Sequence, residues 1–341
     1  MSATFPPEGP SASASASAPA PASASAQLQH PLPSPSGLPS RFQLLRLLGQ
    51  GNGGSVFAAW DQQRQETLAL KLVQPLPDPA RFEAEARSAC SLRHADIIAT
   101  LEAGHTAELG WLVMELVPGV PLQRYTRPAL LLPEALALQA AARMAGALAH
   151  AHAQGVVHRD VKPANVLVNW PAGMCKLGDF GLARQVDSAA TRTGLVMGSP
   201  AYMAPELLAG AAPSTSTDLY ALGVTLFELL TGRLPFHSAR LGELLRQVAQ
   251  QPAPRLQTLR SDLQAEWGAA AGALLAELLA KRPQERPAST AGLAAALHAL
   301  ADRAARAGAA DATKTPDAAS TANATNPPDL SDQPGNRLPS E

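Results

Sequence analysis

Between residues 41 and about 306 the spacing of apolar residues changes character once, and that change does most to limit the fold. The first part carries short runs that favour strands, Phe42 to Leu48, Ser55 to Trp60 and Thr67 to Val73. Later come long segments with helical periodicity, such as Pro133 to Ala153 and Leu219 to Leu230. Strands grouped ahead of helices, rather than alternating with them, predict an α+β arrangement. It has a small sheet-rich lobe with one helix over about 41–116 and a larger helical lobe over about 119–306. The join falls near Met114 to Gly119.

The flanks have a different composition. Residues 1–40 are almost entirely Ser, Ala and Pro without one Lys or Arg, and residues 307–341 turn to Ala, Thr, Pro, Asp and Asn. Neither stretch buries enough apolar surface to offset the entropy of ordering, so both are expected to be disordered arms. The small-residue alternation from Ser11 to Ala26 lacks the basic and continuous apolar regions of a secretion signal, which implies a cytoplasmic protein. No window supplies about 20 consecutive apolar residues, so no membrane partner is expected. Lys and Arg number 27 against 28 Asp and Glu, which leaves no basic excess for nucleic acid. Any phosphate recognition must be local. Cys90 and Cys175 are isolated and read as packed, reduced thiols.

The first chemical motif is Gly49-Gln50-Gly51-Asn52-Gly53-Gly54-Ser55-Val56. Its glycines let backbone N–H groups approach phosphate oxygens. A dinucleotide-binding loop would be followed by a helix, whereas here the chain continues through β-favouring residues into Leu68-Ala69-Leu70-Lys71, so a glycine-rich hairpin fits better. Lys71 in a half-buried strand calls for an anion, unless it is simply a surface lysine. Asp78-Pro79 reads as an N-cap followed by Pro at the first helical position, opening a helix that carries Glu83 and Glu85. Glu85 is the better partner for Lys71, and Glu83 a solvated carboxylate.

The strongest signal is His158-Arg159-Asp160-Val161-Lys162-Pro163-Ala164-Asn165 followed by Asp179-Phe180-Gly181. With the glycine loop and Lys71 in the same order, the chain resembles the eukaryotic-type Ser/Thr protein kinases of bacteria over roughly Phe42 to Leu300. The resemblance implies the bilobal protein-kinase fold and transfer of the ATP γ-phosphoryl group to Ser/Thr hydroxyls of proteins. It makes Asp160 the acceptor of the hydroxyl proton, with Lys162 steadying the transferring phosphate. Asn165 and Asp179 become ligands of Mg²⁺, with Mn²⁺ as an alternative, and Lys71 holds the α- and β-phosphates while paired to Glu85. The nucleotide pocket would comprise Gly49, Gly51, Gly54, Met114, and backbone groups near Glu115 and Val117, with Val56, Ala69 and Leu167 as apolar walls.

The resemblance also implies a substrate-docking loop at Gly198, Ser199 and Pro200, with Ser199 where Thr is usual. It implies a structural pair of Glu206 with Arg286, and Asp218 bracing the catalytic loop. Thr191 and Thr193 lie between Asp179 and Glu206, where self-association and trans-autophosphorylation would place phosphates for Arg159 and Arg184 to bind. One departure is Gly53, at the loop tip where the family usually has a bulky residue; its absence would leave the phosphates less shielded. A pseudokinase-type scaffold would lack Lys71, Asp160 or Asp179, and a small-molecule phosphotransferase would not need Lys162 or the docking loop, so both alternatives rank below the protein kinase.

Overall fold

The computed structural model describes residues 32–51, 53–180, 200–263 and 265–312. Strands β1 (Phe42–Gly51), β2 (Gly54–Asp61), β3 (Glu66–Val73), β4 (Thr100–His105) and β5 (Gly110–Met114) form one antiparallel sheet in the order β1-β2-β3-β5-β4. Its one helix, α1 (Pro79–Ser91), starts at Asp78, whose side chain accepts the Arg81 N–H at 3.0 Å. The period-two alternation of β3 sorts its residues between two clusters. Leu68, Leu70 and Leu72 join Phe42, Leu44 and Val113, while Ala69 and Val73 join Phe82 and Ala86 of α1. Lys71 belongs by parity to the second face, and this aims a cation at the helix and the cleft instead of at solvent.

A three-stranded antiparallel sheet, β6 (Val120–Pro121), β7 (Val166–Asn169) and β8 (Met174–Leu177), lies on the helical lobe. Val166 and Val168 are buried in the lobe's core, so alternation turns Leu167 the other way. The core is built on α2 (Glu134–Ala153), packed between α4 (Thr215–Thr231) and α8 (Thr290–Ala312). Ala137, Ala140, Ala141, Ala145, Ala147 and Ala151 of α2 are wholly buried, and such small side chains let neighbouring helices approach closely. A reciprocal Ser214–Thr217 capping box starts α4, and Gly232, at φ +69°, ends it in the left-handed conformation. The remaining helices are α3 (Pro205–Leu208), α5 (Leu241–Gln250), α6 (Leu256–Leu259) and α7 (Ala265–Leu278). Among the described residues, no helix is long and apolar enough to cross a membrane.

The lobes extend further than the sequence composition suggests. The Leu32 N–H donates to the Leu44 carbonyl at 2.9 Å and Leu38 packs on the sheet's core, so the arm predicted over residues 1–40 is already fixed against β1 from residue 32. At the other end α8 continues past residue 306 to Ala312, as the strong helix propensity of its alanines allows. Residues 1–31 and 313–341 lie outside the described residues.

Lys281, between α7 and α8, donates to the Val248 carbonyl at 2.7 Å and stands 4.0 Å above the Phe236 ring. Burial, with the nearby Arg286 cation adding to it, lowers its pKa to about 8. The folded state therefore binds fewer protons than the unfolded chain between pH 8 and the ordinary lysine value. This cost to stability is fully present below about pH 8 and fades as the pH rises toward about 10.4. Calorimetric unfolding should accordingly show a less positive slope of stability with pH across this window in Lys281→Met than in the parent. Equal slopes would refute the assignment to Lys281.

Candidate active site

The cleft between the lobes gathers its polar side chains from four places. Lys71 arrives on β3, Glu85 on α1, Asp160 to Asn165 on the segment between α2 and β7, and Asp179 just after β8. One buried carboxylate fixes the Asp160 segment. Asp218, in the first turn of α4, accepts the backbone N–H groups of His158 at 2.8 Å and Arg159 at 2.9 Å. It also accepts His152 Nε2 at 2.8 Å, and His152 Nδ1 lies 3.0 Å from the Thr290 hydroxyl. His158 is fully buried, donating from Nε2 to the Gly178 carbonyl at 2.8 Å and accepting the Asp160 N–H at Nδ1 at 3.2 Å. These two partners assign the neutral Nε2–H tautomer.

With the segment held, Asp160 becomes the centre of a small network. Lys162 Nζ is 2.6 Å from its Oδ2, and Asn165 Nδ2 donates to the same oxygen and to the Asp160 carbonyl, both at 2.8 Å. The Gly178 N–H donates to the Asn165 carbonyl at 2.9 Å, which brings Asn165 beside Asp179. Asp179, at φ +63°, turns its Oδ1 to Lys71 Nζ at 2.8 Å. Enclosure alone would raise the Asp179 carboxyl; the Lys71 ammonium beside it outweighs that and holds it below the ordinary carboxylate value.

The expected pair of Lys71 with Glu85 does not form. Glu85 Oε1 instead accepts Arg159 Nη1 at 2.9 Å and Arg81 Nε at 3.1 Å, and Lys71 takes Asp179. Two guanidinium groups offer Glu85 directed donors, one from its own helix and one from the opposite lobe, which a single ammonium cannot match. Glu83 pairs with Arg87 at the exposed surface.

At the back of the cleft Val56 packs with Ala69 and Met114. The Val117 N–H has no hydrogen-bond partner among the described residues, while the Glu115 side chain is held by Lys176 Nζ at 2.7 Å and by the Ala99 N–H at 2.7 Å. The glycine loop is the β1–β2 turn: Gly51 pairs with Gly54, and register shifts between Leu44 and Arg46 and between Leu47 and Gly49 bend β1 on its way to Gly49 and the tip. Gly54 is fixed by geometry, with φ +115° and a Cβ that would fall 2.0 Å from the Leu72 carbonyl oxygen. Gly53 lies close to Lys71: a Cβ there would fall 3.2 Å from Lys71 Nζ.

Glu206 and Arg286 form the predicted pair, two parallel bonds of 2.6 and 2.8 Å. Pro200 opens a short 3₁₀ turn, Pro200–Tyr202, whose Tyr202 hydroxyl donates to Glu228 of α4; burial raises both groups' pKa values. Gly198, Ser199, Thr191, Thr193, Arg184 and Gly181 lie outside the described residues. Sequence patterns pass over His152 and Glu228. The one signal for His152 was a histidine, beside His150, in the last turn of an Ala/Leu-rich helix; for Glu228 it was a carboxylate inside the apolar run of α4.

A model of the protein kinase domain matches residues 42–298. Over 229 residues the chain is 38% identical to the serine/threonine-protein kinase PknA of Mycobacterium tuberculosis, covering 64% of this chain and 53% of that protein. It is 38% identical over 207 residues to PrkC of Bacillus subtilis and 37% identical over 226 residues to the DNA damage-responsive kinase RqkA of Deinococcus radiodurans. These matches cover 58% and 64% of this chain but only 32% and 34% of those proteins. The chain thus spans about half the length of PknA or less of these relatives. A crystal structure of Rad53 residues 1–466 in complex with AMP-PNP superposes with a TM-score of 0.64 at 24% identity, over 76% of this chain and 65% of that one.

Proposed function

Because the chain belongs to the protein kinase domain family, we propose that it transfers the γ-phosphoryl group of ATP to serine and threonine hydroxyls of proteins. The observation that carries this reading is the state of the Asp160 carboxylate. Lys162 and Asn165 both bond Oδ2, which leaves Oδ1, among the described contacts, to take the proton of an incoming hydroxyl. Lys162 is placed to steady the transferring group, and Lys71, once released from Asp179, to hold the α- and β-phosphates. The unpartnered Val117 N–H and the apolar surface of Val56, Ala69, Met114 and Leu167 suit the edge and faces of a purine, and Gly49, Gly51 and Gly54 suit phosphates.

Asp179 Oδ2 and Asn165 Oδ1 are hard oxygen donors left free by the bonds described. Among the described residues no group of three or more His, Cys, Asp or Glu forms a complete cage. This suits Mg²⁺, or Mn²⁺, completed by phosphate oxygens and water. Such an ion, when bound, neutralises charge on the phosphates during transfer.

Thr191 and Thr193 are the proposed autophosphorylation sites, reached in trans by self-association. A phosphate there would compete with Glu85 for Arg159, which is a third exposed. A cytoplasmic location, where ATP is at hand, belongs to the same reading. Incubation with radiolabelled MgATP and a generic Ser/Thr protein substrate, followed by phosphosite mapping, tests it. Label on serine and threonine of the substrate, and on Thr191 or Thr193, is the expected result. Nucleotide binding without transfer would favour a scaffold, and transfer to a small molecule alone would overturn the protein substrate.

A further inference from the structure

Only five of the chain's 27 basic side chains are lysines, at positions 71, 162, 176, 281 and 314. Three of the four among the described residues stand against a carboxylate, Lys71 on Asp179 at 2.8 Å, Lys162 on Asp160 at 2.6 Å and Lys176 on Glu115 at 2.7 Å. Lys281 forms no ion pair among the described residues. Its head group donates to one acceptor, the Val248 carbonyl of α5 at 2.7 Å, and faces the Phe236 ring at 4.0 Å. The carboxylates of the elements around it are taken, Glu206 of α3 by Arg286, Glu243 of α5 by Arg246 and Glu285 by Arg282. Glu277, four residues earlier on α7, and His237, next to Phe236, are exposed and form no ion pair with it. The charged neighbour that does bear on Lys281 is a second cation, Arg286, whose Nη2 lies 3.4 Å from the Lys281 carbonyl oxygen. A carboxylate keeps an amine protonated, whereas partial burial beside a cation with no counter-charge favours the free amine and its lone pair.

We propose that Lys281 is a modification site, an acyl-acceptor lysine whose Nζ takes the acyl group of small activated donors, acyl phosphates or acyl thioesters. The nitrogen lone pair attacks the acyl carbon, and the C–O bond to phosphate or the C–S bond to the thiolate breaks. The amine gives one proton to solvent as the amide forms, and nothing is oxidised or reduced. Desolvation activates lysine as a nucleophile in this way, and an ion-paired ammonium has no lone pair to offer. The side chain is partly exposed, which leaves a donor a route to it. The product amide keeps one N–H for the Val248 carbonyl but carries no charge, so a tie to α5 that titrates becomes one that does not. The step uses neither Asp160 nor Lys71, and the inference does not depend on the phosphoryl-transfer reading.

Site-resolved labelling of the full chain tests it. The protein is incubated with acetyl phosphate and, separately, with acetyl-CoA over a range of pH, and the initial rate at each lysine is read by peptide mass spectrometry. The same chain unfolded in guanidinium chloride gives the intrinsic rate of each position. Near pH 7.5 folding should raise the rate at Lys281 by about tenfold, because the gain in free amine exceeds the loss of intrinsic nucleophilicity. Folding should lower the rates at Lys71, Lys162 and Lys176. The Lys281 rate should level off above about pH 8, whereas in the unfolded chain it keeps rising toward the ordinary lysine value. Lys281→Arg should abolish the product at that position and leave the rates at the other lysines as they were. Labelling by acetyl phosphate alone, by acetyl-CoA alone or by both supports the site and identifies its donor. A Lys281 rate no higher in the folded than in the unfolded chain, or one that climbs with pH as the unfolded chain's does, overturns it.

Discussion

Asp160→Ala should lower kcat for protein phosphorylation by about 10²–10⁴-fold, the range that a positioned proton acceptor supplies, and change nucleotide affinity little. The substitution removes the oxygen proposed to receive the hydroxyl proton without dismantling its surroundings. Asn165 Nδ2 retains its second bond, to the Asp160 carbonyl at 2.8 Å, and the backbone of the segment remains held by Asp218. Asp160→Asn separates charge from shape, since the amide oxygen can still accept from Lys162 and Asn165 but takes a proton poorly. Both variants should therefore melt near the parent temperature and both should be inactive. Steady-state phosphorylation beside thermal unfolding decides this, and activity within tenfold of the parent in either variant would remove Asp160 from the proposed role.

The largest effect on stability is expected from Arg286→Ala. The guanidinium is fully buried, bonds both oxygens of Glu206, donates to the carbonyls of Ser216 and Ala280 at 2.9 and 3.0 Å, and lies 4.9 Å from the Tyr220 ring centre. Truncation strands the Glu206 carboxylate and two carbonyls together. Removing one partner of a buried pair costs about 3–5 kcal/mol. In a domain of this size that corresponds to a drop in Tm on the order of 6–20 °C. Glu206→Ala should cost less, because the Ser216 and Ala280 carbonyls still satisfy the arginine in part and Glu206 itself is 14% exposed. Replacing both, as Glu206→Leu with Arg286→Met, should recover part of the loss, since no charge is then left unpaired. A Tm unchanged in Arg286→Ala, measured by calorimetry, would contradict the account.

What could be read from the sequence and what could not divide along a physical line. Asp160, Lys162 and Asn165 lie within six consecutive residues whose mutual geometry is set by local backbone, so their convergence follows from the motif. The pair of Glu206 and Arg286 was also legible, because both occur in distinctive strings that the family resemblance pairs with each other. The partner of Lys71 was not legible. Glu85, Asp179 and Arg159 are far apart in sequence, and which cation meets which carboxylate depends on how α1 sits against the opposite lobe. The same holds for the ends of the fold. Composition separates Ser/Ala/Pro-rich chain from the domain, but a single hydrogen bond from Leu32 to β1 moves the true start upstream of the compositional one.

The bonds to Asp218 bear on mutational robustness. Two of its three donors are main-chain N–H groups, which no replacement at His158 or Arg159 other than proline can delete. These two bonds therefore survive a change of the Arg159 side chain, whereas the buried His158 ring also holds the Asp160 N–H and the Gly178 carbonyl. The path of the segment nonetheless depends on one carboxylate 60 residues downstream of His158. Tolerance to change is unequal along the chain: the partly exposed Arg159 side chain can vary without deleting either main-chain bond, whereas the buried helix-borne Asp218 cannot.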